Sequence, residues 1–314
     1  MAGRRPVAGA VKRWGSVPLD QPACDLCGST ERFTLATERF AGYEFRVVKC
    51  PRCGLAYSCP RPSPKLRQQL HDPQIRNALA DAGIIADQHR IPEGVPTIFA
   101  WDSQTVHVPN YERGLRVLSR LGAPGRLLDV GCAGGRFVQL AQEAGFQAKG
   151  CDIMPEQIEY GVKELGLDLV AGELQDLRFG EGEFDVVTLW DVIEHVPSPL
   201  TLTTEIARIL KPGGHLLVQT PNFALRELLS ALGRSQNPDQ YRLISFEHIY
   251  HFTPRTLSRL LRRAGFPRVR YSVDTDDGSE GRKARVRRGL ARGLRYGTAG
   301  RVNLHTPILA AATR

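Results

Sequence analysis

Four cysteines stand in two tight pairs, Cys24-Asp25-Leu26-Cys27-Gly28 and Cys50-Pro51-Arg52-Cys53-Gly54, with 22 residues between them. Each C-x-x-C knuckle aims two thiolates at one point, and the glycine that follows permits the turn. Four thiolates complete a closed tetrahedral shell, which suits a structural zinc ion and leaves no position open for catalysis. Cys59, Cys132 and Cys151 stand alone, so the seven cysteines read as a metal site with bystanders, not as a disulfide framework. A module of roughly 35 residues buries too little core to fold unaided, so metal binding is expected to drive its folding.

A second set of residues suits a nucleoside cofactor. Leu127-Leu128-Asp129-Val130-Gly131-Cys132-Ala133-Gly134-Gly135-Arg136-Phe137 reads as a strand, a glycine-rich turn and a helix. Small residues there let the backbone approach a ligand at the carboxyl end of the strand. Asp152 ends the next strand, 21 residues after Gly131, where an acid accepts hydrogen bonds from ribose hydroxyls. Two cofactors fit, NAD and S-adenosylmethionine (SAM). Asp129 favours the second. A carboxylate beside the turn repels a pyrophosphate but attracts the ammonium and sulfonium of SAM. The G-x-G-x-x-G pattern of NAD sites is also absent.

A third set joins acids to imidazoles. In Asp191-Val192-Ile193-Glu194-His195, a helical start would put Asp191, Glu194 and His195 on one face. Far along the chain, Glu247-His248-Ile249-Tyr250-His251-Phe252 adds two more imidazoles. Carboxylates with imidazoles at a cleft bind a divalent metal ion or remove a proton. A structural reading competes, in which Glu194 and His195 brace a loop while His248 and His251 pack beside Tyr250 and Phe252.

Read in order, LLDVGCAGGRF, Gly150-Cys151-Asp152-Ile153, FDVVTLWDVIEHVPSP and LKPGGHLLVQTPN resemble the successive motifs of class I SAM-dependent methyltransferases, over about residues 110–270. That resemblance implies that Asp129, Gly131 and Gly135, with Cys132 and Ala133 between them, line the methionine end of SAM. It implies that Asp152 and Ile153 meet the ribose, that Asp176 and Leu177 lie against the adenine, and that Trp190 and Asp191 stand at the mouth of the fourth strand. Ala133 departs from the family pattern, which has glycine there. The Asp191–His195 run is similar to the acid-x-x-Glu-His run of ubiquinone-type O-methyltransferases and small-RNA 2′-O-methyltransferases, which holds a divalent cation in those enzymes. The later His-x-x-His-Phe is similar to the distal histidine segment of the RNA enzymes. By that likeness Asp191, Glu194, His195 and one of His248 or His251 form a second, Mg²⁺-type site. Relatives without a metal requirement imply instead that His195 is the base or orients the acceptor, with His251 next and Glu194 beside it. Zinc ribbons ahead of SAM domains resemble bacterial methyltransferases of sugar, polysaccharide and secondary-metabolite pathways.

The elements that must position these groups follow from apolar periodicity. Strands are expected at 127–130, 148–153, 167–171, 184–190 and 215–220, with helices at 137–144, 155–165, 200–210 and 253–264 between and after them. Val269 to Val273 and Ile308 to Ala312 are expected as the last two strands. Strands alternating with helices predict an α/β fold, a doubly wound, mostly parallel, seven-stranded Rossmann-like sheet with a small N-terminal zinc ribbon. The expected layout is a disordered basic tail (1–20), the ribbon (21–60), a helical connector (61–112), a SAM-binding domain (113–275) and a basic amphipathic segment with the last strand (276–314).

Charge and length bound the partners. The 314 residues carry a net +9, but residues 281–314 hold eight Arg and one Lys with no acid, so residues 1–280 sum to zero. A neutral body argues against nucleic acid as the partner. Val286, Leu290 and Leu294 recur among the arginines of 281–301, which fits an amphipathic helix on an anionic membrane surface, an attractor of a lipid-linked acceptor, or a solvated helix packed by one edge. No apolar run reaches the length of a membrane span and no signal peptide is evident, so the expected location is cytoplasmic or peripheral to a membrane. The resulting expectation is methyl transfer from SAM to an acceptor hydroxyl on a small molecule, sugar or lipid-linked glycan. Two rivals are a zinc-ribbon binding protein with a non-catalytic SAM-like domain and an NAD-dependent oxidoreductase.

Overall fold

The computed structural model describes residues 19–40, 43–63, 77, 104–122, 125–224, 248–272, 289 and 307–314. The strands in chain order are β1 (Leu19–Asp20), β2 (Phe33–Phe40), β3 (Tyr43–Lys49), β4 (Ala56–Ser58), β5 (Arg61–Pro62), β6 (Arg126–Val130), β7 (Gln147–Asp152), β8 (Leu169–Ala171), β9 (Phe184–Trp190), β10 (Leu210–Thr220), β11 (Tyr250–His251), β12 (Arg268–Tyr271) and β13 (Ile308–Thr313). The helices are α1 (Gln104–Ser119), α2 (Arg136–Glu143), α3 (Pro155–Leu165), α4 (Pro199–Ile209) and α5 (Pro254–Arg263).

The chain divides into two compact units. One comprises Met1–Ala100 with Gln236–His251, the other Trp101–Ser235 with Phe252–Arg314. In the first unit β11, β4, β3 and β2 form an antiparallel sheet in that order, and β1 pairs with β5. The expected 113–275 domain is therefore interrupted. Tyr250 pairs with Tyr57 and His251 with Ala56, so these two residues belong to the ribbon's sheet. Most of the expected 61–112 connector and the 281–301 segment lie outside the described residues.

The second unit is built on a seven-stranded sheet ordered β12-β13-β10-β9-β6-β7-β8. Strands β10, β9, β6, β7 and β8 run parallel, and β13 runs antiparallel between β10 and β12. Burial on both faces explains the apolar strands. Leu127, Leu128, Val187, Leu189, Leu216 and Val218 are all fully buried. Local chemistry stops and starts the helices. Pro155 begins α3 and Gly166, left-handed, ends it. Ser198 caps α4, and Thr253 with Thr256 forms a reciprocal cap on α5.

Register decides which polar residues share a face. Asp129 opposes Thr188, and Trp190 opposes Gln219, in line with Leu127, Val186 and Leu217 of the apolar core. A row of polar groups at the carboxyl ends of β6, β9 and β10 therefore continues the core-facing side of the sheet. On that side Trp190 packs against Tyr111 of α1 and Phe137 of α2, with ring centroids 5.0 and 4.9 Å away.

Candidate SAM site and cysteine cluster

The bend after β6 holds three left-handed residues, Gly131 (φ 75°), Ala133 (φ 49°) and Gly135 (φ 89°). A methyl group added at Gly131 would lie 2.4 Å from Val192 Cγ2, so the chain is pressed against the turn that follows β9. Ala133 accepts a conformation that glycine takes freely, and its N–H donates to Asp152 Oδ2 at 2.9 Å. That bond ties the bend to the end of β7. Asp152 Oδ1 accepts from the Met154 N–H, so both oxygens are oriented by backbone. Burial raises the Asp152 pKa, against the N–H groups of Ala133, Met154 and Ile153, which lower it.

Asp129 is 2% exposed and accepts from Thr188 Oγ1 at 2.6 Å. A buried carboxylate at a backbone bend suits a cationic amino-acid moiety, so the residues present fit SAM. Trp190 contributes a further signal, since its indole Nε1 is buried without a hydrogen-bond partner. Cys132 turns inward. Its thiol packs where a Gly150 side chain would stand, leaving only its backbone to meet a ligand. Burial first, then the charges of Asp129 and Asp152, pushes the Cys151 thiol up to about 12 and raises the Cys132 thiol well above its ordinary value, so neither is a nucleophile at neutral pH. Ile153 is 47% exposed beside Asp152. Asp176 is exposed and Leu177 half-buried, in a turn closed by their N–H bonds to the Glu173 carbonyl.

The segment after β9 does not start as a helix. Asp191 is left-handed (φ 53°), and the segment turns through a His195 N–H to Val192 carbonyl bond. Asp191 is clamped at two points by one residue, its N–H donating to the Gln219 carbonyl and its Oδ2 accepting from Gln219 Nε2 at 2.8 Å. Burial raises the Asp191 pKa, while Gln219 and the His107 charge lower it. Glu194 is 1% exposed. Its Oε2 accepts from Thr220 Oγ1 at 3.0 Å, and its Oε1 is buried without a partner. Burial, then the Asp191 charge, raises the Glu194 pKa well above the ordinary range. A Glu194 carboxyl oxygen and a His195 ring nitrogen still come within 4.8 Å of each other. His248 and His251 belong to the N-terminal unit, where His251 is buried on β11.

Sequence reasoning passed over Thr188, Gln219, Thr220, Tyr111 and His107. The only trace of the first three was a polar side chain inside an otherwise apolar strand.

In the N-terminal unit the four sulfur atoms of Cys24, Cys27, Cys50 and Cys53 lie within 4.8 Å of one another. Cys24 Sγ is 3.4 Å from Cys53 Sγ, and Cys27 Sγ is 3.5 Å from Cys50 Sγ. A tetrahedral zinc–thiolate shell with bonds of about 2.3 Å spaces its sulfurs about 3.8 Å apart, so the cluster fits the ion after a small expansion. The backbone repeats itself at both knuckles. The Gly28 N–H bonds the Cys24 carbonyl, the Gly54 N–H bonds the Cys50 carbonyl, and both glycines are left-handed.

Residues 108–270 match the model of a family described as a methyltransferase domain. The chain is 30% identical over 183 residues to a ubiquinone biosynthesis O-methyltransferase of Burkholderia pseudomallei, covering 54% of this chain and 78% of that protein. It is 34% identical over 133 residues to the protein of that name from Xanthomonas campestris, covering 39% and 56%. A SAM-dependent methyltransferase structure from Archaeoglobus fulgidus aligns with a TM-score of 0.46 at 19% identity, over 66% of this chain and 94% of that one.

Proposed function

This chain belongs to the methyltransferase domain family, and we propose that its acceptor atom is a hydroxyl oxygen of a small molecule. The enzyme is a class I SAM-dependent methyltransferase, so SAM supplies an electrophilic methyl group on a sulfonium centre. The hydroxyl reading rests on the two relatives named for O-methylation and on the dyad after β9. The observation that carries it is the Glu194 carboxyl beside the His195 imidazole at the carboxyl end of β9.

In this proposal each residue has a role. Asp129 holds the cationic amino-acid end, and Asp152 with Ile153 meets the ribose. The Gly131–Gly135 backbone, Cys132 and Ala133 included, gives the close approach. Asp176 and Leu177 flank the base, and Trp190 with Asp191 closes the mouth. Methyl transfer needs in-line alignment and exclusion of water more than covalent help. His195 takes the acceptor proton or orients the hydroxyl. Glu194, pinned by Thr220, holds the turn that carries the imidazole. Asp191 is held for the same purpose by Gln219. His251 is the second candidate base.

Cys24, Cys27, Cys50 and Cys53 hold a structural zinc ion. Its four protein ligands leave no open position, so the ion orders the ribbon and takes no part in transfer. A sugar or lipid-linked acceptor and a role for 281–301 at a membrane surface are extensions of the same reading, drawn from the sequence alone.

A SAM-consumption assay across quinols, catechols, hydroxylated sugars and amines tests the proposal. Turnover confined to hydroxylated acceptors, with methyl ethers as products and loss of activity in His195→Ala, is the expected result. Turnover of amines alone overturns the hydroxyl assignment. Running the assay after EDTA, with and without Mg²⁺ and with zinc retained, decides between proton removal by His195 and a second divalent ion.

A further inference from the structure

We infer that the N-terminal unit holds a binding site for a phosphate-type oxyanion, built on Arg61, Tyr57 and Arg32. Arg61 lies on β5 and is 8% exposed. Its Nη1 donates to the Tyr250 hydroxyl at 3.0 Å, and its guanidinium carbon stands 5.8 Å from the centre of that ring. Its Nε is buried and bonds nothing. Asp20 is its cross-strand partner, and the charge of Asp25 reaches Tyr250, yet among the described residues no carboxylate forms an ion pair with Arg61. A buried guanidinium without a counter-ion is costly. An anion that fits its planar fork of N–H donors removes that cost.

Other groups in the same corner of the sheet are also donors. Tyr57 is the cross-strand partner of Tyr250, with ring centroids 6.3 Å apart. Its side chain is fully buried and its hydroxyl has no partner within bonding distance. The Arg32 guanidinium faces Tyr57, and burial of the Cys59 thiol is opposed by the charges of Arg32, Arg61 and Arg46. Three cations thus surround one side chain. Arg46 is tied to Glu44, which leaves Arg32 and Arg61 with charge to offer. A tetrahedral oxyanion presents acceptors in several directions at once and carries up to two charges. It matches a forked cation, a second cation and a phenol O–H better than a planar carboxylate does. The anion is either free phosphate or the phosphoryl group of an ester. The inference does not depend on the acceptor atom.

Isothermal titration of the full chain with inorganic phosphate and with glucose 1-phosphate tests the inference, alongside Arg61→Gln and Tyr57→Phe. Saturable binding by the wild type is expected, weakened about tenfold or more in Arg61→Gln and less in Tyr57→Phe. Tighter binding of the ester identifies a phosphorylated molecule as the natural source, and binding of the inorganic ion alone identifies the free anion. SAM titration and zinc content, unchanged in both variants, show that they are folded. Absence of saturable binding to the wild type overturns the inference. So does an Arg61→Gln protein that retains its zinc and binds both probes as tightly as the wild type.

Discussion

A carboxylate sealed from water is stable only when bonded; Asp129 has the Thr188 hydroxyl inside the protein, and in the proposed function a cationic cofactor is its second partner. Asp129→Asn keeps the shape and removes the charge. The Kd for SAM should rise by about ten- to hundredfold, as for loss of a 1.5–3 kcal/mol charged hydrogen bond. Adenosine, which lacks the ammonium and sulfonium, should bind the variant nearly as well as the wild type. Calorimetry with both ligands checks this, and an equal loss for the two would remove Asp129 from the amino-acid end. Glu194 gives a second prediction, about pH. Its pKa is raised above the ordinary 4.5 by burial and by Asp191. The folded protein therefore holds that proton more tightly than the unfolded chain does. The stability this group contributes is complete below the ordinary range and is lost as the pH rises towards the folded value. Glu194→Gln still accepts from Thr220 but does not ionise. It should melt progressively above the wild type as the pH rises from 5 to 8, by about 1.4 kcal/mol for each unit over which only the wild type would ionise. Thermal melts at the two ends of that range decide it, and a pH-independent difference would show that the group ionises as freely as it does in water.

Elements press on the cofactor bend from behind. A methyl group at Gly161 of α3 would lie 2.3 Å from Leu169 Cδ1 and 2.6 Å from the Gly134 carbonyl oxygen, which is backbone and cannot rotate away. Gly161→Ala gains about 1 kcal/mol of helix propensity. Overpacking costs about 1–3 kcal/mol and should win. A lower melting temperature and weaker SAM binding are expected. An unchanged melt would mean that α3 slides without disturbing the bend. Much of this architecture was legible beforehand, because β6, β7, β9, α3 and the late strands β12 and β13 are bounded by apolar runs, prolines and glycines that act locally. The bend after β6 was legible where glycine and acid mark strand ends, at Gly131, Asp129 and Asp152. The candidate site was not legible where a partner is distant. Thr188 meets Asp129 from 59 residues away, and Gln219 meets Asp191 from 28. The spacing of the Asp191–His195 run allowed helical geometry, but the clamp from Gln219 goes with a left-handed residue at its start. β11 escaped notice because two residues carry no period, and its pairing with β4 is a long-range event.

At the scale of the whole molecule, each unit rests on a different source of stability. The C-terminal unit has a two-faced sheet with fully buried strands, whereas the N-terminal unit has short strands around four cysteines. One equivalent of zinc per chain is expected by metal analysis, falling in Cys50→Ser. Chelation should abolish hydrogen-exchange protection in β3 and β4 while β6 and β9 stay protected. Protection of β3 and β4 in metal-free protein would show that the ribbon folds without an ion. Among the described residues no helix is long and apolar enough to cross a membrane.

The seating of Tyr250 and His251 beside β4 bears on protein engineering. A gene cut at the junction near residue 100 does not yield two self-sufficient cassettes. The downstream fragment would carry an orphan strand whose docking edge was left behind, and the upstream fragment would expose that edge to stray pairing. Grafting this ribbon onto another catalytic body therefore requires transplanting a discontinuous pair of segments, and chimeras made by a single crossover should be prone to aggregate.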